Sequence, residues 1–99
     1  MKLQVGKRAQ RQADKIEEWW AENRPAVATL FTDELEGTFE TICERPRAGI
    51  AWPTPRRPTL RRILMPKTQN HVYFRVDESK QIIHVVGVWG APRGGGPKL

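Results

Sequence analysis

The chain is poor in the residues that build closed chemical sites. It holds one cysteine, Cys43, and two histidines, His71 and His84, which permit neither a disulfide framework nor a zinc-ligand spacing. There is no phosphate loop and no Ser/His/Asp arrangement, and Gly94-Gly95-Gly96 has no helix after it to supply N-terminal amides. No apolar run approaches the roughly 20 residues that span a bilayer. The opening stretch from Met1 to Arg8 lacks the apolar segment of a secretory leader. At 99 residues there is little room for a private active-site cleft beside a core. These absences lead us to expect one cytoplasmic domain over residues 1–93 and a flexible Gly-rich tail over 94–99, with no cofactor, metal or membrane partner.

What is abundant is positive charge, and it is unevenly placed. The net charge is +6, but residues 1–45 carry a balance of −2 and residues 46–99 a balance of +8, with Asp77 and Glu78 the only acids in the second part. A lopsided field attracts anionic partners and speeds their encounter, whether nucleic acid or an acidic protein segment. Charge kept only for solubility usually mixes both signs.

Periodicity supplies the framework. Leu3 and Val5 alternate with polar neighbours and suit a short strand before Gly6. Ala9, Ala13, Ile16 and Trp20 form one stripe of a helix over residues 7–23. Trp19 must then lie off the stripe, partly exposed or packed on a flank. Pro25 cannot continue that helix but can start another, predicted over residues 25–44 with Ala28, Phe31, Leu35, Phe39 and Ile42 facing inward. Cys43 sits beside this stripe as a small core residue. Residues 46–58, with four prolines and three arginines, can be neither helix nor central strand. They form a functional or a mobile loop. Three strands follow, over 59–65, 70–76 and 81–90, separated by turn-forming residues. The order β-α-α-β-β-β predicts an α+β fold, with an antiparallel helical hairpin packed on one face of a mostly antiparallel four-stranded sheet.

Alternation assigns the faces. Val72, Phe74 and Val76 should meet the helices, leaving His71, Tyr73 and Arg75 on the other side. Pairing Val76 with Gln81, Phe74 with Ile83 and Tyr73 with His84 would put Ile83, Val85, Gly87 and Trp89 on the helix side. Ile82, His84, Val86 and Val88 would then lie on the open side. The last strand is apolar on both sides, which a half-exposed strand should not be. A partner covers the open face, the Pro/Arg loop folds over it, or the strand is simply central. Arg61 and Arg62 fall on opposite faces, so one of them joins the open side. His71, Tyr73, Arg75 and His84 form the constellation with chemical potential. Imidazole, phenol and guanidinium together suit acid/base phosphodiester cleavage, although such side chains also pair across strands merely to pack.

The β-α-α-β-β-β order, the junction WWAENRPAVATLFTDEL, ERPRAG closing the second helix, and the stretches LRRILMPKTQNHVYFRVDE and IIHVVGVWGAPR resemble the RelE/ParE superfamily of toxins from bacterial type II toxin–antitoxin modules. The likeness runs up to Arg93 and implies a cytosolic toxin, linked to plasmid stabilization and neutralised in a hetero-oligomer by a cognate antitoxin. RelE-like members cut mRNA on the ribosome. By that resemblance Arg61 and Arg62 match the basic positions of the first strand after the loop. His71 falls near the basic position of the next strand, and Arg93 matches the arginine after the last. The catalytic set would be His71, Arg62 and Arg93. The Gly-rich tail departs from the pattern by offering neither Tyr nor His, so His71, Tyr73 or His84 would have to substitute. ParE-like members inhibit DNA gyrase by binding it, and AENRP and HVYFRV read closer to that branch. On this reading Arg61, Tyr73, Arg75, His84, Val86 and Val88 contact target or antitoxin. A non-toxic nucleic-acid-binding module is the remaining alternative.

Overall fold

A computed structural model describes residues 1–90. Arg93 and the 94–99 tail, both singled out above, lie outside the described residues. Strand β1 (Lys2–Val5) leads into helix α1 (Lys7–Asn23). Gly6 marks the change, its N–H donating to the Val85 carbonyl at 2.9 Å, so the chain leaves the sheet while still tied to it. Ala9 and Ala13 are buried, and Ile16 and Trp20 pack against the same core. Trp19 is half exposed, its ring edge-on to Trp20 with centroids 5.6 Å apart.

The single second helix expected from Pro25 is divided. Pro25–Val27 forms a 3-10 turn, and α2 proper runs over Leu30–Glu44. Thr29 lies between them at φ −91°, ψ 0°, and its hydroxyl donates to Asp33 Oδ2 at 3.2 Å. That backbone conformation lies outside the helical range, so the helix restarts at Leu30 rather than continuing from Pro25. Phe31 and Ile42 are buried on the inner face, with Leu35, Phe39 and Cys43 packed beside them.

The sheet has five strands, ordered β1-β5-β4-β3-β2, where β2 is Ile50–Ala51, β3 Arg61–Met65, β4 Asn70–Asp77 and β5 Ile82–Gly90. β1 runs parallel to β5, and the other neighbours are antiparallel. The strand missing from the sequence reading is β2, which comes from the Pro/Arg segment. It is an edge strand, a position in a sheet where prolines are tolerated.

The β4–β5 register also differs from expectation. Val76 pairs with Ile83, Arg75 with His84 and Phe74 with Val85. The turn explains the two-residue shift: Asp77 binds Ser79 Oγ and the Lys80 N–H, and Gln81 adopts φ 56°, so Gln81 ends the turn instead of pairing with Val76. Beyond Val85 an extra residue, Val86, bulges out, and Tyr73 pairs with Gly87, Val72 with Val88 and His71 with Trp89. A bulge inverts the alternation of everything after it. Val88, expected on the open side, is therefore a core residue, and Trp89, expected under the helices, lies across from His71. The two-sided apolar character of β5 follows partly from its place between β1 and β4.

Candidate functional site

The sheet face away from the helices is built from alternate residues of three strands. Across it lie Arg62 beside Tyr73, Leu64 beside His71, and Arg75 beside His84. The structure thus brings His71, Tyr73 and Arg62 together, and pairs His84 with Arg75 rather than with Tyr73. The His71 and Tyr73 rings meet edge-to-face with centroids 6.1 Å apart. Burial, and then the neighbouring Arg62 charge, holds the His71 pKa below its usual value, so the ring favours its neutral form.

Part of this face is closed by the chain itself. Tyr73 is 2% exposed and Leu60 1%, and neither belongs to the main core cluster. Residues 52–60 form an ordered strap. The Trp52 N–H donates to Leu60 O at 2.8 Å, Thr54 and Arg57 exchange two backbone hydrogen bonds of 3.0 Å, and Leu60 N–H reaches Arg57 O at 3.2 Å. Pro55 and Arg56 occupy the turn between Thr54 and Arg57, and Pro suits its first central position. The segment that sequence alone leaves as functional or mobile is a hairpin extension of β2 and β3. Of the coverings expected for the open face, the structure shows this one at Arg62, over which the Trp52 ring lies.

The two adjacent arginines of β3 separate into different tasks. Arg61 donates to the carbonyls of Arg47 at 2.6 Å, Gly49 at 3.1 Å and Ala48 at 3.4 Å. It ties the chain after α2 to the sheet and is turned away from the second face. Arg62 lies on that face, its guanidinium carbon 3.5 Å from the centroid of the Trp52 ring. The Nε atoms of Arg62 and of Arg57 are buried, with no hydrogen-bond partner among the described residues. Val86, the bulged residue, is half-buried.

The most exposed apolar side chains on this face form a strip along the β2–β3 edge: Ile50 is 55% exposed, Trp52 42% and Leu64 45%. Sequence reasoning missed all three as surface residues. The available signal was Ile-Ala-Trp standing between glycine and proline, a short apolar run bounded by turn formers. An apolar strip interrupted by a stacked guanidinium is suited to bind a macromolecular surface. Among the described residues no three His, Cys, Asp or Glu side chains gather as metal ligands would. No helix among them is long and apolar enough to cross a membrane.

The model of the ParE toxin of type II toxin–antitoxin systems (parDE) matches residues 3–93. No curated protein sequence matches the chain at a significant level. Among solved structures, the chromosomal ParDE toxin–antitoxin system of P. aeruginosa superposes with a TM-score of 0.74 at 16% identity, covering 91% of this chain and 95% of that one. The isolated E. coli RelE toxin gives 0.66 at 18% identity, covering 95% and 87%. The E. coli RelBE toxin–antitoxin complex gives 0.67 at 17% identity, covering 93% and 98%. At such identities the superpositions establish the fold, while the family model spans nearly the whole sequence. The chain is a member of the ParE toxin family of type II toxin–antitoxin systems.

Proposed function

We propose that this protein is a ParE-like toxin that inhibits DNA gyrase by binding it, and that a cognate antitoxin neutralises it. The observation that carries the reading is the state of the second face. Its phenol is enclosed, and the arginine beside it, Arg62, is stacked on Trp52. Its most exposed apolar side chains are Ile50, Trp52 and Leu64. Phosphodiester cleavage needs a base and an acid that both reach the reacting oxygens, whereas a protein target needs an apolar anchor with an arginine beside it. Likeness to the ParDE system and the RelBE complex supports an antitoxin partner. In the test, purified protein inhibits gyrase supercoiling and leaves translated mRNA intact.

One observation favours the second reading, an mRNA endonuclease acting on the ribosome. A neutral His71 beside the Arg62 cation has the makings of a general base next to a phosphate-stabilising charge. That reading requires His71→Ala or Arg62→Ala to abolish toxicity while the protein stays folded, with cuts in ribosome-bound message by the unmodified chain.

A further inference from the structure

The outward face of α1 carries its charges in an order that the helix by itself does not favour. Lys7, Arg11 and Lys15 follow one another at four-residue steps, and so do Asp14, Glu18 and Glu22; all six are exposed. With 3.6 residues per turn each set forms a row, and the two rows lie side by side, opposite the buried Ala9 and Ala13. Four-residue steps bring like charges together, which weakens a helix standing alone. The placement along the axis is also inverted, with no acidic residue in the first turn and no basic one in the last. The helix dipole favours the reverse. Among the described residues none of the six side chains forms an ion pair, although Asp14 accepts a hydrogen bond from Gln10 at 2.9 Å.

Both features find their complement in the same helix turned end over end. Beside an antiparallel second α1 centred between Asp14 and Lys15, Lys7 comes level with the other copy's Glu22, Arg11 with its Glu18 and Lys15 with its Asp14. A single centre serves all three pairs, and two-fold symmetry forms each pair twice. The same arrangement brings the N-terminal cations beside the negative end of the neighbouring helix dipole. Trp19, 50% exposed, lies on the same flank of the helix as Arg8. In the antiparallel pair it comes level with Arg8 and Arg11 of the second copy, where an indole face can receive a guanidinium.

We propose that the outward face of α1 is a self-association surface, on which a second copy of this chain packs its own α1 antiparallel about a two-fold axis between Asp14 and Lys15. Cations and acids are equal in number in the two rows, so a polyanion gains nothing from half of the face. A second copy carries the reversed order by symmetry. A contact one helix wide and about 25 Å long is smaller than the roughly 800 Å² per partner of a stable complex. The dimer is therefore weak, and salt screens its exposed ion pairs. α1 covers the sheet face opposite the strip of Ile50, Trp52 and Leu64, so this association does not depend on which target that strip engages.

The test is sedimentation equilibrium on the purified full chain at concentrations up to about 1 mM. Wild type dimerises at 50 mM NaCl, and its dissociation constant rises about tenfold or more at 500 mM. Glu18→Arg and Arg11→Glu each set like charges face to face, and each alone is monomeric over the same range. An equimolar mixture of the two variants restores both opposite-charge contacts and dimerises as a heterodimer. Circular dichroism confirms that both variants, changed at exposed positions, remain folded. Wild type that stays monomeric at 1 mM and low salt overturns the proposal. So does a dimer that persists undiminished in either variant, or a mixture of folded variants that fails to associate.

Discussion

Arg62 rests its guanidinium on the indole of Trp52, 3.5 Å from the ring centroid, and so joins the strap after β2 to the centre of the sheet's second face. The contact does two things at once. It holds an aromatic ring at the rim of the apolar strip, and it places a cation beside His71 and Tyr73. A stacked arginine is less solvated than a free one and brings a planar array of donors to a partner.

Trp52→Ala removes both the stacking partner and an exposed anchor. We expect a stability loss of about 1 kcal/mol, typical of a partly exposed cation–π contact with some packing. Gyrase inhibition should fall by about tenfold or more if the strip is the contact surface. Urea denaturation and a supercoiling titration on the same preparation separate the two effects.

Arg61→Ala should behave in the opposite way. Losing charge-assisted hydrogen bonds to three carbonyls of residues 47–49 costs about 2 kcal/mol, and the lower denaturation midpoint reports it. Target inhibition by the fraction that remains folded is expected to be unchanged, because Arg61 is directed toward the loop and away from the second face.

Much of this division was hidden in the sequence. Helical periodicity located α1 and its inward stripe from Ala9 to Trp20, because a long amphipathic segment repeats its signal many times. Alternation likewise placed Val72 and Phe74 in the core, with Val76 packed against it. The bulge at Val86 was not legible, since valine suits a regular strand and a bulge equally. Val88 and Trp89 were consequently assigned to each other's faces. Nor does the dipeptide Arg61-Arg62 reveal which arginine binds loop carbonyls, because that depends on where residues 47–49 return to the sheet. His71 and Tyr73 were legible as neighbours, but the burial of Tyr73 was not.

Gly49→Ala tests how that return is made. Gly49 has φ 77°, and a Cβ there would run into the Arg62 carbonyl. The strained backbone and the clash together should cost about 3 kcal/mol. Differential scanning calorimetry is expected to show the drop, along with weakened protection of the β2–β3 amides in hydrogen exchange.

Glu34→Ala addresses the other end of β3. The Glu34 carboxylate accepts the Lys67 N–H at 2.7 Å, the Thr68 N–H at 2.9 Å and the Thr68 hydroxyl at 2.7 Å, fixing the β3–β4 turn against α2. Its loss should destabilise the fold by about 2 kcal/mol, measured by urea midpoint. It should also loosen the turn at Thr68–Asn70.

Stability should depend on pH through two groups in separate windows. The folded-state pKa of His71 is lowered, by burial first and by Arg62 second, so the unfolded chain binds the extra proton more readily. Stability therefore rises with pH between the folded value and the ordinary histidine value of about 6.5. Asp77 is also lowered, first through its hydrogen bond from Ser79. Its contribution is present above the ordinary carboxylate value and is lost as pH falls through the folded one. Denaturation midpoints of wild type and His71→Gln, compared at pH 5 and pH 7.5, should differ in slope, the variant being flatter.

The exposed strip of Ile50, Trp52 and Leu64 is the surface on which the two targets are told apart. Purified wild type and Leu64→Glu, a substitution at an exposed position, should be titrated into a gyrase supercoiling reaction and, in parallel, into a translating ribosome system. The predicted result is inhibition of supercoiling by the wild type, weakened by about tenfold or more in the variant, with message intact in both. Uninhibited supercoiling together with codon-specific cuts in ribosome-bound mRNA would contradict it.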